Sequence, residues 1–269
     1  MARKPAVAGQ FYPDDEAELK SMLKKFTPDR EEKKSVLGAL SPHAGYVFCG
    51  AVMGQVFGGI NVPESVIVLN PSHRVSSPAV ALWRDGPWET PLGEIELDEE
   101  LCDRLEDISV VTADQHAHSG EHSGEVVLPF LQYQRPDVKV AIMCVTTQAE
   151  LDDLLELGDS IAELVDGEDT LVVASSDMSH ESGTSALDKV KRNDPMAIEK
   201  MEQLDPPGLL DVCKAKHITM CGVLPAVAMM ESVRKRGGSA GSLIDRATSA
   251  DSPYGGGNYV VGYAGLTFE

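Results

Sequence analysis

The chain has 269 residues, 42% of them hydrophobic and 25% charged, the make-up of an ordinary globular protein of one large α/β domain or two smaller ones. Its net charge of -20 excludes nonspecific binding to nucleic acid or to an anionic membrane, because both need basic patches. No apolar stretch approaches the ~18 residues of a spanning helix, and the start (Met1 to Gly9) lacks the apolar core of a signal peptide.

Taken in order, Pro5 to Pro13 reads as an extended arm anchored by Phe11 and Tyr12. Asp14 is the expected N-cap of a helix carrying Leu19, Met22, Leu23 and Phe26 at helical spacing. Val36 to Leu40 is an apolar run of the length of a buried strand, and Gly50 to Gly59 predicts a short helix that packs small residues tightly. Strands are expected at 66–70 and 79–83, a loop at 88–93, a helix at 99–106 and a short strand at 108–111. The segment 114–134 begins polar and ends as a helix bearing Val126, Val127, Phe130 and Leu131. A strong strand at 138–145 precedes an amphipathic helix at 150–165, whose expected core face is Leu151, Leu154, Leu155, Ile161 and Leu164. Leu171 to Ala174 is the next strand, followed by helices at 185–204, from Asp205-Pro206-Pro207 onward, and at 224–235, then a strand at 259–268. Strands alternate with helices and no linker interrupts them, which predicts a single α/β domain over 1–269, a central sheet flanked by helices.

Three strands end in the same way. Val36–Leu40 runs into Ser41-Pro42-His43-Ala44-Gly45, Val66–Asn70 into Pro71-Ser72-His73, and Leu171–Ala174 into Ser175-Ser176-Asp177-Met178-Ser179-His180. Pro lacks a donor and Gly reaches dihedrals that other residues avoid, so each run stops where its histidine begins. Open α/β sheets bind ligands beyond the carboxyl ends of their strands, and the three loops are expected to meet there and hold a metal. Asp177 and His180, three apart, would lie within reach of each other, the carboxylate orienting the imidazole for proton transfer; the bland alternative is an N-cap aspartate.

His116, His118, His122 and Glu125 form the densest polar cluster. His118-Ser119-Gly120-Glu121-His122 matches H-x-x-E-H, a zinc-peptidase pattern that must lie on a helix, and Ser-Gly forms helix poorly. The expectation is that His122 reaches the pocket and that a zinc hydrolase built on His118 and His122 is the lesser alternative. The five cysteines form no C-x-x-C pair, which suggests reduced thiols and a cytoplasmic chain. Cys221 stands just before a helix, whose dipole would lower its pKa; the others look like packing residues.

Pro42-His43-Ala44-Gly45-Tyr46 with Cys49-Gly50, Pro71-Ser72-His73, His122-Ser123-x-Glu125, Ser175-Ser176-Asp177-x-x-His180 and Cys221-Gly222-x-x-Pro225 together resemble the signature of the Memo family. Its microbial members are labelled AmmeMemoRadiSam system protein B, after neighbours of the AMMECR and radical-SAM types, which the resemblance implies as partners. It also implies a fold like that of the class III extradiol dioxygenases, non-haem iron enzymes. By that similarity His43 and His73 would be metal ligands, Cys221 would take the place of the third ligand, and His180 would be the acid/base; the expectation read from the residues adds Asp177 as its support and His122 near it. Thiolate is softer than carboxylate and favours copper or zinc more than the family's Fe(II) chemistry would. The expectation is thus a metal-dependent oxidoreductase with iron, or else copper or zinc, acting on an oxygen-containing small molecule. Animal Memo proteins are associated with phosphotyrosine-peptide recognition, so a noncatalytic phosphopeptide module is the alternative; Arg74 is the only arginine beside the site motifs.

Overall fold

The computed structural model describes residues 2–269. In chain order the elements are α1 (Glu16–Phe26), β1 (Gly38–Ser41), α2 (Tyr46–Gly58), β2 (Ser65–Pro71), β3 (Val80–Leu82), β4 (Trp88–Thr90), β5 (Gly93–Ile95), α3 (Glu99–Glu106) and β6 (Val111–Ala113). There follow α4 (Leu128–Gln134), β7 (Lys139–Val145), α5 (Leu151–Leu164), β8 (Thr170–Ser175), β9 (His180–Ser182), α6 (Ala186–Glu202), α7 (Pro206–Lys216), α8 (Val223–Lys235), β10 (Gly241–Thr248) and β11 (Tyr259–Phe268).

Four parallel strands, β1-β8-β2-β7, form the centre of a mixed sheet of order β10-β11-β1-β8-β2-β7-β3-β6, with β9 pairing to β11. Apart from their first residues in β2 and β7, these four strands are buried throughout. Both faces of a parallel sheet are covered by helices, so its strands read as unbroken apolar runs, which is why they stand out in the sequence. Strand β11 pairs antiparallel to β1, so both halves of the chain share one sheet. Helix α2 packs on one face, where a Cβ at Gly265 would meet Val52 and Val56; α8 packs on the other, where a Cβ at Gly38 would meet Met229 and Val233.

Helix α2 is apolar on nearly every side and presents Gly50, Gly54 and Gly58, four apart, to the end of α1. The tight small-residue packing expected there is real: a Cβ at Gly54 would lie 2.2 Å from the Phe26 carbonyl oxygen. Several local expectations need correction. Residues 88–93 are not a loop but most of the β4–β5 hairpin. The strand expected at 108–111 begins only at Val111. The first helix is capped by Asp15, whose carboxylate accepts from the Glu18 N–H, rather than by Asp14. In α5, Leu157 and Gly158 are buried where Leu151, Leu155 and Leu164 are only partly so. No helix among the described residues is long and apolar enough to cross a membrane.

The glycine stripe supplies a stability test. Gly54→Ala drives a methyl into backbone and should cost about 2–3 kcal/mol, whereas Gly167→Ala, at φ +73° in open space, should cost about 1 kcal/mol. Equal losses in urea melts would show that α1 yields freely to α2.

Candidate functional site

Strands β1, β8 and β2 are neighbours, so the loops that follow them open at one edge of the sheet and bring His43, Asp177, His180 and His73 into one region. Cys221 arrives from the opposite side of the sequence. It precedes α8, whose N-cap Gly222 sits so close to β8 that a Cβ there would lie 2.3 Å from the Ser175 carbonyl oxygen. The Gly222 N–H donates to Ser176 Oγ at 2.9 Å, fixing this approach. As a result Cys221 Sγ lies 3.3 Å from His43 Nε2.

Each histidine is oriented through its other nitrogen. Ser175 Oγ donates to the Ser123 carbonyl (2.6 Å), so it accepts from His43 Nδ1–H at 2.8 Å, leaving the Nε2 lone pair toward Cys221. His73 Nδ1–H donates to Glu121 Oε1 at 2.9 Å, and the same carboxylate accepts from the backbone N–H groups of His73, His122 and Ser123. Burial alone would raise the Glu121 pKa, but these donors, His73 foremost, outweigh it and hold the group well below the usual carboxylate range. Burial holds His43 well below the usual imidazole value, and lowers His122 too, so both rings are neutral. One donor atom from each of His43, His73 and Cys221 lies within 4.8 Å of the others. A tetrahedral ion with bonds of about 2.0–2.3 Å to nitrogen and sulfur needs donors about 3.3–3.8 Å apart, and the His43 Nε2–Cys221 Sγ separation of 3.3 Å falls in that range. His73, Glu121 and His122 form a second such group, but its carboxylate is already occupied by donors.

His122 stacks on His73 (centroids 4.9 Å apart, 23° between planes) and meets Phe11 edge-on at 5.0 Å. It lines a cavity of about 480 Å³ together with Asp177, His180 and the rings of Phe11, Phe48 and Tyr263. Phe11 comes from the N-terminal arm, which the buried Glu125 holds down by accepting from Arg3 Nη1 (2.8 Å), Tyr12 Oη (2.7 Å) and the Ala6 and Val7 N–H groups.

Three expectations fail. Asp177 does not pair with His180 and caps no helix: its Oδ1 accepts from the His43 N–H at 2.9 Å, while His180 Nδ1 donates to the carbonyls of Met178 (3.0 Å) and Thr219 (3.2 Å). Three-residue spacing on a loop sets no common direction for two side chains. The Cys221 thiol is pushed up, not down, because burial and the neighbouring Asp177 outweigh the helix end. The H-x-x-E-H stretch is not an α-helix: His118 is buried between Trp83 and Trp88 with Nε2 on the Ala81 carbonyl, and Glu121 serves His73. The zinc hydrolase therefore has no site. His116 is exposed and lines a separate surface pocket with Arg84 and Asp114. Glu121 and Ser175, the two orienting groups, were visible only as parts of motifs whose roles the sequence leaves open.

The family model described as Memo-like protein matches residues 3–267 of the chain. The chain belongs to the Memo family. It is 36% identical over 270 residues to a MEMO1 family protein of Aquifex aeolicus, covering 99% of this chain and 98% of that one. A MEMO1 family protein of Methanopyrus kandleri is 36% identical over 285 residues, with 100% and 99% covered. An uncharacterised protein of Escherichia coli K12 shares the fold at a TM-score of 0.54 and 12% identity, over 86% of this chain and 98% of that one.

Two supports of this Memo protein's site can be tested. Removing Glu125 strands the buried Arg3, so Glu125→Ala should lose about 3–5 kcal/mol in urea melts and Glu125→Gln clearly less; an unchanged Glu125→Ala would mean that the arm does not depend on this carboxylate. Behind the His180 loop, Asp194 accepts from the Ser179 N–H (3.2 Å), and burial pushes its pKa up to about 6. A carboxyl raised in the fold destabilises it as pH climbs, because the unfolded chain ionises first. Asp194→Asn should therefore be up to about 3 kcal/mol more stable than wild type at neutral pH, and equal to it below about pH 4. A gain that persists in acid would count against ionisation as its cause.

Proposed function

We propose that this chain is a metal-dependent oxidoreductase of a small molecule, with His43, His73 and Cys221 holding the ion. The observation that supports this reading is the convergence of two Nε2-presenting imidazoles and a thiol, each already oriented, beside a cavity large enough for a substrate. Iron is the metal the family resemblance implies, and the thiolate also suits copper or zinc; a redox-active ion would supply electron exchange between a bound organic molecule and an oxidant such as dioxygen.

The protein's own residues do the rest. His43 and His73 give their Nδ1 hydrogens to Ser175 and Glu121, which turns each Nε2 toward the ion. His180, with Nδ1 turned to the Met178 and Thr219 carbonyls, has Nε2 free as the proton acceptor at the cavity. Asp177 braces the His43 loop rather than the acid/base, and His122 and Phe11 wall the substrate space. AMMECR-type and radical-SAM proteins are the partners to examine. A phosphopeptide module is the weaker reading, because no Lys or Arg is among the residues lining the cavity.

The test is metal content by mass spectrometry after purification without oxygen. Wild type should carry near-stoichiometric iron or copper, while His43→Ala, His73→Ala and Cys221→Ser should each lose it by about tenfold or more. His180→Ala should keep the metal and lose turnover. Full metal content in both histidine variants would sink the assignment.

A further inference from the structure

The walls of the cavity have a chemical bias that the triad does not explain. Phe11, Phe48, Tyr254, Tyr259 and Tyr263 surround it, its one acidic side chain is Asp177, and no Lys or Arg is among its lining residues. Arg3 is buried against Glu125, and Arg74, whose guanidinium lies over Gly120, is not among the lining residues.

Two rings lie at the mouth. Tyr254 is 73% exposed and Tyr259 54%, among few large apolar side chains left in solvent. Tyr254 is held there by a tight turn, for a Cβ at Gly255 would lie 1.6 Å from the Ser249 carbonyl oxygen, while Gly256 and Gly257 take φ of +134° and +86°. Tyr259 opens β11 opposite Ser182 of β9, with its ring 6.5 Å from that of His180. Exposed π faces at the entrance of a cavity with no Lys or Arg in its lining favour a positive charge over a carboxylate or phosphate.

We propose that the cavity selects an organic amine in its ammonium form, carried on an aromatic body: the ring lies between Phe11, Phe48 and Tyr263, and the ammonium meets Tyr254 and Tyr259. This deepens the reading above by naming the ligand class, and takes from it only that the cavity beside the triad receives the small molecule. The chain's net charge of -20 draws such cations in and repels acids of the same size.

A matched series separates charge from shape: tyramine, 4-ethylphenol, 4-hydroxyphenylacetate and phenyl phosphate, titrated calorimetrically into the full-length protein, with metal content measured in the same samples. Tyramine should bind tightest, about tenfold or more above 4-hydroxyphenylacetate, with 4-ethylphenol between them and phenyl phosphate weakest. Tyr254→Leu with Tyr259→Leu, both at exposed positions that leave the core intact, should weaken tyramine by about fivefold and 4-ethylphenol by less than about twofold. An acid or phosphate that binds as well as tyramine, or tyramine that fails to bind at millimolar concentration, overturns the proposal. Metal-free protein that still ranks amine above acid keeps this inference and removes the metal reading; loaded protein with the opposite ranking does the reverse.

Discussion

The contact on which the site depends is the seat of Gly222 against the end of β8. Any side chain at that position would strike the Ser175 carbonyl, so α8 would have to back away and Cys221 would leave His43. The end of β8 and the two residues after it serve on several sides: Ser175 Oγ orients His43, Ser176 Oγ receives the Gly222 N–H, and the Asp177 carboxylate receives the His43 N–H. Strand β8 lies between β1 and β2, so it is the one place from which both histidine loops can be braced at once. The close packing of strands buried on both faces anchors the roots of these loops.

Charge is handled by the same economy. Glu121 and Glu125, both buried near the site, are each surrounded by donors instead of being left to a single ion pair. Glu121 collects the imidazole and backbone hydrogens of the His73 and His122 loops, and Glu125 collects those of the N-terminal arm. A carboxylate with its lone pairs filled can stay ionised in a poorly hydrated interior. Each also ties distant sequence together: Glu121 joins the His122 loop to the end of β2, and Glu125 joins it to residues that begin the chain. The wall made by Phe11 is therefore part of the sheet-edge architecture, although the arm contributes no strand to the central sheet.

What the sequence reveals follows from how each feature is encoded. The parallel strands and their histidines are legible because complete burial writes an unbroken apolar run and Pro or Gly ends it abruptly, as at Ser41-Pro42-His43. Strand β10 escapes detection because it pairs only with β11, at the sheet edge, is interrupted by a bulge between Leu243 and Asp245, and carries Asp245 and Arg246 where an alternating pattern would show. Trp88 to Gly93 looks like a loop because Pro91 and Gly93 dominate it, yet Trp88 is held under the Arg3 guanidinium, 3.9 Å from its ring centroid. Glu121 was visible but ambiguous. H-x-x-E-H names the residue types and leaves open whether a helix aims them, and the turn at Gly120, with φ +68°, aims His118 and His122 apart. Direction, not identity, is what the sequence withholds at this site.

The Cys221 thiol shows why direction matters for chemistry. A helix end alone would favour thiolate, but here the sulfur is desolvated beside Asp177, so an uncompensated negative charge would be repelled as well as poorly solvated. With His43 Nδ1–H committed to Ser175, Nε2 can only accept, and the thiol hydrogen is donated to it across 3.3 Å. The pair is thus a neutral thiol–imidazole contact whose two heavy atoms already point at one another's open side. On the metal-binding reading proposed above, a cation bound there would displace one proton and take over a gap between donors that the hydrogen bond has kept open. The same burial that disfavours a free thiolate, and hence its reaction with passing electrophiles, leaves the sulfur available to a partner that brings its own positive charge.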